Sequence, residues 1–313
     1  MQKPELQRDM LDARFAESRR ELARMIAQWI GQRELLETAI PGVRLARRTA
    51  PTPPCSVTYG PSLTVIAQGR KRVALGTTTF IYDASRFLLT SLDLPAIASV
   101  VEASEKEPCL AMSIAIDMVA VRELLAREEL QIPATPPNSP GMAVAETTPD
   151  LLDACCRLLR LLSSPEDIPI LHGLIQRELL YRALRSAEGA RLRAIATQGE
   201  QSQRIAKAIA WIRANFQQPL VIEDLAQVAG MAVSTLHHHF RTLTAMSPLQ
   251  YQKQVRLQIA RKRMLLDELD ANAAAFEVGY ESASQFNREY SRFFGQPPIR
   301  DVRILRAQSG PIL

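Results

Sequence analysis

Asn287 and Arg288 are neighbours whose side chains suit base edges in a DNA groove. Arginine can bond guanine O6 and N7 through two donors, and asparagine can bond adenine N6 and N7. Fifty positions earlier stand His237 and His238, and Ser284 is likewise matched by Ser234. Arg241 completes the earlier set, whose serine and imidazoles suit a base or a phosphate equally. The run His237–His239 is not a metal site, because successive helical residues point about 100° apart and cannot converge on one ion.

These side chains reach outward together only from helices that bury the opposite stripe. The sequence supplies that stripe twice, as Leu236 and Phe240 and again as Phe286 and Tyr290. Each pair follows a short apolar helix and a turn containing glycine, Gly230 or Gly279, and precedes a proline, Pro248 or Pro298. Two such copies, Ile222–Pro248 and Ala274–Pro298, give the plan of two helix-turn-helix units, whose second helix enters the major groove. One glycine turn between amphipathic helices fits an ordinary bundle equally well. Two at matched spacing, joined by the basic segment Pro248–Leu266, favour DNA.

That segment reads as a helix with proline in its first turn. Its roughly 19 residues span about 28 Å, close to the roughly 34 Å between successive major-groove faces. Lys253, Arg256 and Lys262 are its candidate phosphate contacts, with Arg261 and Arg263 beside them. Charge is placed to match. From Glu200 onward there are 14 Lys and Arg against 10 Asp and Glu, whereas the first 199 residues are almost balanced. A polyanion surface is therefore expected in the C-terminal third.

The 313 residues suffice for two cores. No apolar run reaches the roughly 18 residues of a membrane helix, so no membrane partner is expected. The charged N-terminus does not read as a secretory signal. Cys55, Cys109, Cys155 and Cys156 lack zinc-site spacing and suit a reducing cytoplasm.

Ahead of the DNA-directed region, residues 1 to about 40 read as amphipathic helix, with Leu22, Ile26, Trp29 and Ile30 on one stripe. An extended connector, Pro51–Cys55, follows. Ser56 to Ile116 breaks into short β-rich runs, which suggests a small sandwich or barrel with room for a small molecule. A helix begins near Asp117, and Pro133–Pro149 reads as a proline-rich loop. Two helices at about 150–163 and 169–186 come next. Leu151, Cys155, Leu158, Leu159 and Leu162 stripe the first, and Leu171, Leu174, Ile175, Leu179 and Leu180 the second. Such a pair suits packing on the β domain or on another subunit. The boundary is expected near Gly199, with Ile205, Ala208, Ile209, Ile212 and Phe216 as the first stripe beyond it.

On the segments "IEDLAQVAGMAVSTLHHHFR", "TAMSPLQYQKQVRLQIARKRML" and "AFEVGYESASQFNREYSRFFGQPP", the C-terminal third resembles the DNA-binding domain of the AraC/XylS family of transcription regulators. The family usually carries a basic residue, often arginine, where His238 stands. The stretch Ser56–Pro95 resembles a cupin-like N-terminal domain of the same regulators. The resemblance implies double-stranded DNA as partner and effector sensing or a homodimer in residues 1–199. It adds RNA polymerase if the protein is an activator.

Fold expectation is therefore α+β: a cupin-like β-barrel with flanking helices over 1–199, and an all-α unit with two helix-turn-helix motifs over 200–313. Tyr59, Tyr82 and Arg86 are the candidate effector contacts. An enzyme reading, as a metal-dependent cupin, fails on its ligands. The four histidines are His172 and His237–His239, and none lies between Ser56 and Ile116. No metal, other cofactor or catalytic residue is expected. An architectural DNA binder without a sensor is the remaining rival.

Overall fold

Strand β4 (Ser62–Gln68) is buried along nearly its whole length. Successive strand residues point to opposite faces, so a strand buried on both must have a layer on each side. The computed structural model describes residues 2–127, 140–197 and 201–309, and it shows both layers. Sheet A joins β1 (Leu35–Glu37), β2 (Val43–Arg48), β9 (Cys109–Ala115), β4, β7 (Arg86–Thr90) and β10 (Met142–Glu146), in that order. Sheet B joins β3 (Cys55–Tyr59), β8 (Leu94–Glu102), β5 (Arg70–Leu75) and β6 (Thr78–Tyr82). Every pairing is antiparallel.

The expected barrel is corrected by this topology. Sheet A ends at β1 and β10, and sheet B ends at β3 and β6. Among the described residues no ladder joins one sheet to the other, so two open sheets replace one closed wall. A barrel needs its edge strands paired to one another. Here β1 has only three residues, and β10 pairs on one side only, with β7. The β region is also wider than Ser56–Ile116, since β1, β2 and β10 lie outside it. β10 falls within the stretch read as a loop; the rest of that loop up to residue 139 lies outside the described residues.

Helices cover the outer face of sheet A. Leu22, Met25, Ile26 and Ile30 of α1 (Gln2–Ile30) and Leu151, Cys155 and Leu158 of α3 (Pro149–Arg160) share one core with Leu63, Val65, Phe87, Leu89 and Met112. Thr148 caps α3, and Asp117 caps α2 (Met118–Leu125). The helix α4 (Ile168–Arg185) buries Ile168, Leu179, Leu180, Ala183 and Leu184. Leu171 and Leu174, expected on that stripe, are exposed. The short helix α5 (Gly189–Ala196) follows. The expected boundary at Gly199 lies outside the described residues.

Seven helices complete the described chain: α6 (Gln201–Ala214), α7 (Ile222–Ala229), α8 (Val233–Thr244), α9 (Pro248–Leu266), α10 (Ala271–Glu277), α11 (Ala283–Phe294) and α12 (Pro298–Ser309). The expected α6 stripe is buried at Ile205, Ala208, Ile209 and Ile212. That stripe belongs to one core with α7, α8 and the face of sheet B turned toward sheet A, including Val73, Leu75 and Tyr82. A separate core holds α10, α11 and the far half of α9.

Candidate nucleic-acid interface

Each helix-turn-helix unit is set by a left-handed glycine. Gly230 ends α7 at φ +63°, and Gly279 follows α10 at φ +89°. At Gly279 the demand is steric as well as torsional. A Cβ there would stand 2.2 Å from the Gln217 carbonyl oxygen. Only glycine fits that turn.

With Leu236 and Phe240 fully buried, α8 presents Ser234, His237, His238 and Arg241 to solvent. His239 is half-buried, and burial, helped by neighbouring His238, pulls its imidazole pKa below the usual value. In α11, Phe286 and Tyr290 are fully buried, Ser284 and Arg288 are exposed and Asn287 is half-exposed. Ser282 caps this helix by accepting from the Gln285 amide. The two outward sets therefore sit on matching faces of the second helix of each unit.

Helix α9 joins the units. Ser247 and Gln250 form a reciprocal capping box at its start, and Pro248 stands in its first turn. Its 19 residues span about 28 Å. Its basic residues divide by environment. Lys262 is exposed. The Lys253 ammonium lies 2.9 Å from Glu289, a carboxylate that also accepts from Tyr280 and Gln285. Arg261 grips buried Asp301 through two bonds of 2.8 and 2.7 Å, beneath the Phe294 ring. Tyr290 donates to the same carboxylate at 2.7 Å.

Arg256 is spent inside the protein. Its guanidinium donates to the carbonyls of Phe216 (2.6 Å), Gly279 (2.9 Å), Gln217 (3.1 Å) and Gln218 (3.0 Å). It ties the linker helix both to the segment after α6 and to the turn of the second unit. No pattern in the sequence distinguishes this arginine from its neighbours on α9, so this strut was not legible there. The Glu289 clasp was equally hidden.

The three candidate effector contacts do not come together. Tyr82 is buried between the sheets, and burial drives its phenol well above its ordinary pKa. Its hydroxyl has no partner of good hydrogen-bond geometry among the described residues, though Tyr59 is beside it. Burial pushes Tyr59 up to about 12. Arg86 is elsewhere, at the exposed start of β7, lining a cleft of about 720 Å³ with Tyr181, Arg182 and Arg185. Lys71 joins the tyrosines instead. It is paired with Tyr82 across β5 and β6, and it shares the inward face of Val73 and Leu75. Burial lowers its pKa, and among the described residues no carboxylate is within ion-pair distance. Its alternation with Val73 and Leu75 is the sequence signal that could have found it, once the register of β5 is known. Thr90, also buried, leaves its hydroxyl unpartnered. No group of His, Cys, Asp or Glu among the described residues is placed to hold a metal ion.

Two helix-turn-helix units on one rigid linker, behind a two-sheet domain, define a two-headed DNA-binding protein. Residues 39–191 match the family described as AraC-type transcriptional regulator N-terminus, and residues 225–303 match a helix-turn-helix domain family. The chain belongs to the AraC/XylS family of transcription regulators.

Among curated relatives, the transcriptional activator RhaS of Klebsiella pneumoniae is 28% identical over 100 residues, covering 32% of this chain and 36% of that protein. RhaS of Yersinia pestis is 26% identical over 104 residues, covering 33% and 38%. This chain thus matches little more than a third of the length of those relatives. Among solved structures, ToxT of Vibrio cholerae bound to an unsaturated fatty acid superposes with a TM-score of 0.55 at 9% identity, covering 88% of this chain and 98% of that one. A second ToxT structure from Vibrio cholerae gives 0.54 at 10% identity, covering 87% and 98%. At such identity the likeness concerns the fold alone. No helix among the described residues is long and apolar enough to cross a membrane.

Proposed function

We propose that this chain regulates transcription by placing α8 and α11 in successive major-groove faces of one double-stranded operator. The carrying observation is the pair of outward faces, Ser234–His237–His238–Arg241 and Ser284–Asn287–Arg288, on equivalent helices joined by α9. Arg288 and Asn287 are the candidate base readers, and Lys253 and Lys262 the candidate phosphate contacts. Arg256, already engaged by four carbonyls, is assigned to holding the two units in register. The working division of labour is residues 1–199 for sensing and 200–313 for DNA.

The interior of the two-sheet domain supports an effector-responsive reading. An ammonium without an acid and the buried Tyr82 hydroxyl without a well-placed partner are costly unless something satisfies them. A small organic acid meeting Lys71, Tyr59 and Tyr82 would do so without a metal. ToxT, of similar fold, is described as bound to a fatty acid, which agrees with such a ligand. RhaS is described as an activator, and by that analogy RNA polymerase is the further partner.

The test begins with operator selection from genomic fragments by the intact protein. Arg288→Ala and Asn287→Ala should each then weaken binding to the selected site by about 1–3 kcal/mol, with binding to unrelated DNA preserved. Unchanged operator affinity in both variants would remove the base-reading assignment. For the effector, Lys71→Met should abolish the rise in melting temperature that a carboxylic acid from a metabolite screen gives the wild type. No shift with any acid would leave the sensing role without support.

A further inference from the structure

We propose that the free edge of β10 is a docking groove for an extended acidic segment of a partner protein, which joins sheet A as one more strand. The groove shares no residue with the DNA-directed helices or with the interior between the sheets.

Register and hydrogen bonding together say which backbone groups of β10 are free. The Thr147 amide donates to the Ser85 carbonyl, and the Ser91 amide donates to the Gly141 carbonyl. In an antiparallel ladder, bonded pairs alternate with non-bonded ones. Ala143 and Ala145 therefore bond to β7, whereas Met142, Val144 and Glu146 turn their amides and carbonyls to the outer side. Met142 is fully covered. Val144 and Glu146 open onto the cleft of about 720 Å³ that also holds Arg86. Among the described residues, nothing bonds the backbone of either on that side. Sheet edges are commonly blunted by shortness, bulges or proline. The opposite edge of sheet A, β1, has only three residues. β10 has five, in unbroken register and without proline.

The far wall of the cleft is the last turn of α4, with Tyr181, Arg182 and Arg185. An exposed strand edge is where extended peptides are captured by strand addition, main-chain bonds giving affinity and side chains specificity. Ala145 lies in the core beneath the helices, and Val144 packs in the core between the sheets. An added strand alternates in the same way. Its side chains on the helix side come against Tyr181 and Arg185, and those on the other side come toward Arg86.

Charge selects the partner. Arg86 and Arg185 are exposed, and neither has a carboxylate within ion-pair distance among the described residues. Arg185 instead donates to the Tyr181 hydroxyl at 3.0 Å and lies over that ring. Of the acids in the cleft, Asp150 is already held by Arg14 and Arg182, which leaves Glu146 against the two unpaired arginines. Aspartate or glutamate on both faces of the added strand is the complement.

Selection of random peptides of about 7 residues, long enough to span β10, on immobilised full-length protein tests this. The expected binders are rich in aspartate and glutamate. Val144→Pro removes an outward donor that the β7 ladder does not use, and proline is tolerated on an edge strand. It should weaken those peptides by about tenfold or more with the melting temperature kept, and Arg86→Gln and Arg185→Gln should each weaken them severalfold. On the wild type, N-methylation of one alternate set of peptide amides should abolish binding, and methylation of the other set should be tolerated. That series decides the matter if Val144→Pro lowers the melting temperature. Absence of binders, or binders indifferent to both methylation sets, would overturn the proposal. Binders without acidic residues, or indifferent to both arginine variants, would overturn the acidic partner. So would a chain that binds no peptide but shows self-association or nucleic-acid binding that Val144→Pro removes.

Discussion

Replacing Arg256 by methionine keeps most of the stem volume and removes the fork. The guanidinium holds four carbonyls, but they are not equal. Gln217 and Gln218 are exposed, so water replaces the arginine there at little cost. The bonds to Phe216 and Gly279 are better shielded, and hydrogen bonds to a charged group contribute about 1.5–3 kcal/mol each. Gln252 also donates to the Phe216 and Gln218 carbonyls and will keep part of that contact. A half-exposed guanidinium is further discounted for solvent screening. The expected loss is about 2–4 kcal/mol, concentrated in the C-terminal part. Urea unfolding followed by Trp211 fluorescence, in a Trp29→Phe background, reads it directly, since those are the two tryptophans of the chain. The same variant should bind DNA more weakly, because the two units lose their register, while the slope of log affinity against log salt stays unchanged. An intact stability with a salt slope lowered by about one would mean that Arg256 meets a phosphate, and the strut assignment would fail.

Three further outcomes follow from the same packing. Asp301→Ala strips a buried carboxylate from Arg261 and Tyr290 and should cost about 3–5 kcal/mol in chemical denaturation. Gly279→Ala combines φ +89° with a collision at Gln217, so a loss of about 2 kcal/mol or more is expected, read by melting. Burial raises the Glu178 pKa, but Arg157 and Arg182 overcome it and hold the carboxyl below its ordinary value. Its contribution is therefore present above the ordinary carboxylate pKa and lost as pH falls through the depressed one. Glu178→Gln should flatten the acid limb of the stability profile, and an unaltered limb would contradict the ion-pair account.

The DNA-directed half was legible because its determinants are local. A helix repeat, a glycine turn and a following proline recur within a few dozen residues, and Leu236, Phe240, Phe286 and Tyr290 are all buried as their spacing requires. The sandwich was less legible because closure of a sheet is decided by partners far apart in sequence. β2 pairs with β9 across about sixty residues, and nothing near either strand says whether a wall will close. β10 was obscured by the prolines around it, although its Met142 and Ala143 are buried. On α4 the difficulty was different. Apolar residues occupy both faces, so periodicity alone could not say which stripe turns inward. Side-chain roles on α9 were the least visible, since Lys253, Arg256, Arg261 and Lys262 look alike until their neighbours are known.

Tyr251 belongs to the linker helix, yet its hydroxyl donates to the carbonyl of Asp93, in the loop before β8, at 2.8 Å. Nearby, the Gly141 amide donates to the Leu243 carbonyl, and Arg213 pairs with the Asp93 carboxylate at 3.3 Å. Regulators of this plan invite cut-and-paste engineering, in which a reader of one operator is fused to the sensor of another signal. Here the seam is a shared surface as well as a peptide link. A chimera that takes residues 200–313 onto a foreign sensor carries a fully buried tyrosine whose acceptor has been left behind. Such a transplant needs either the Asp93 loop in the same cassette or Tyr251→Phe, so that no hydroxyl is stranded at the new joint.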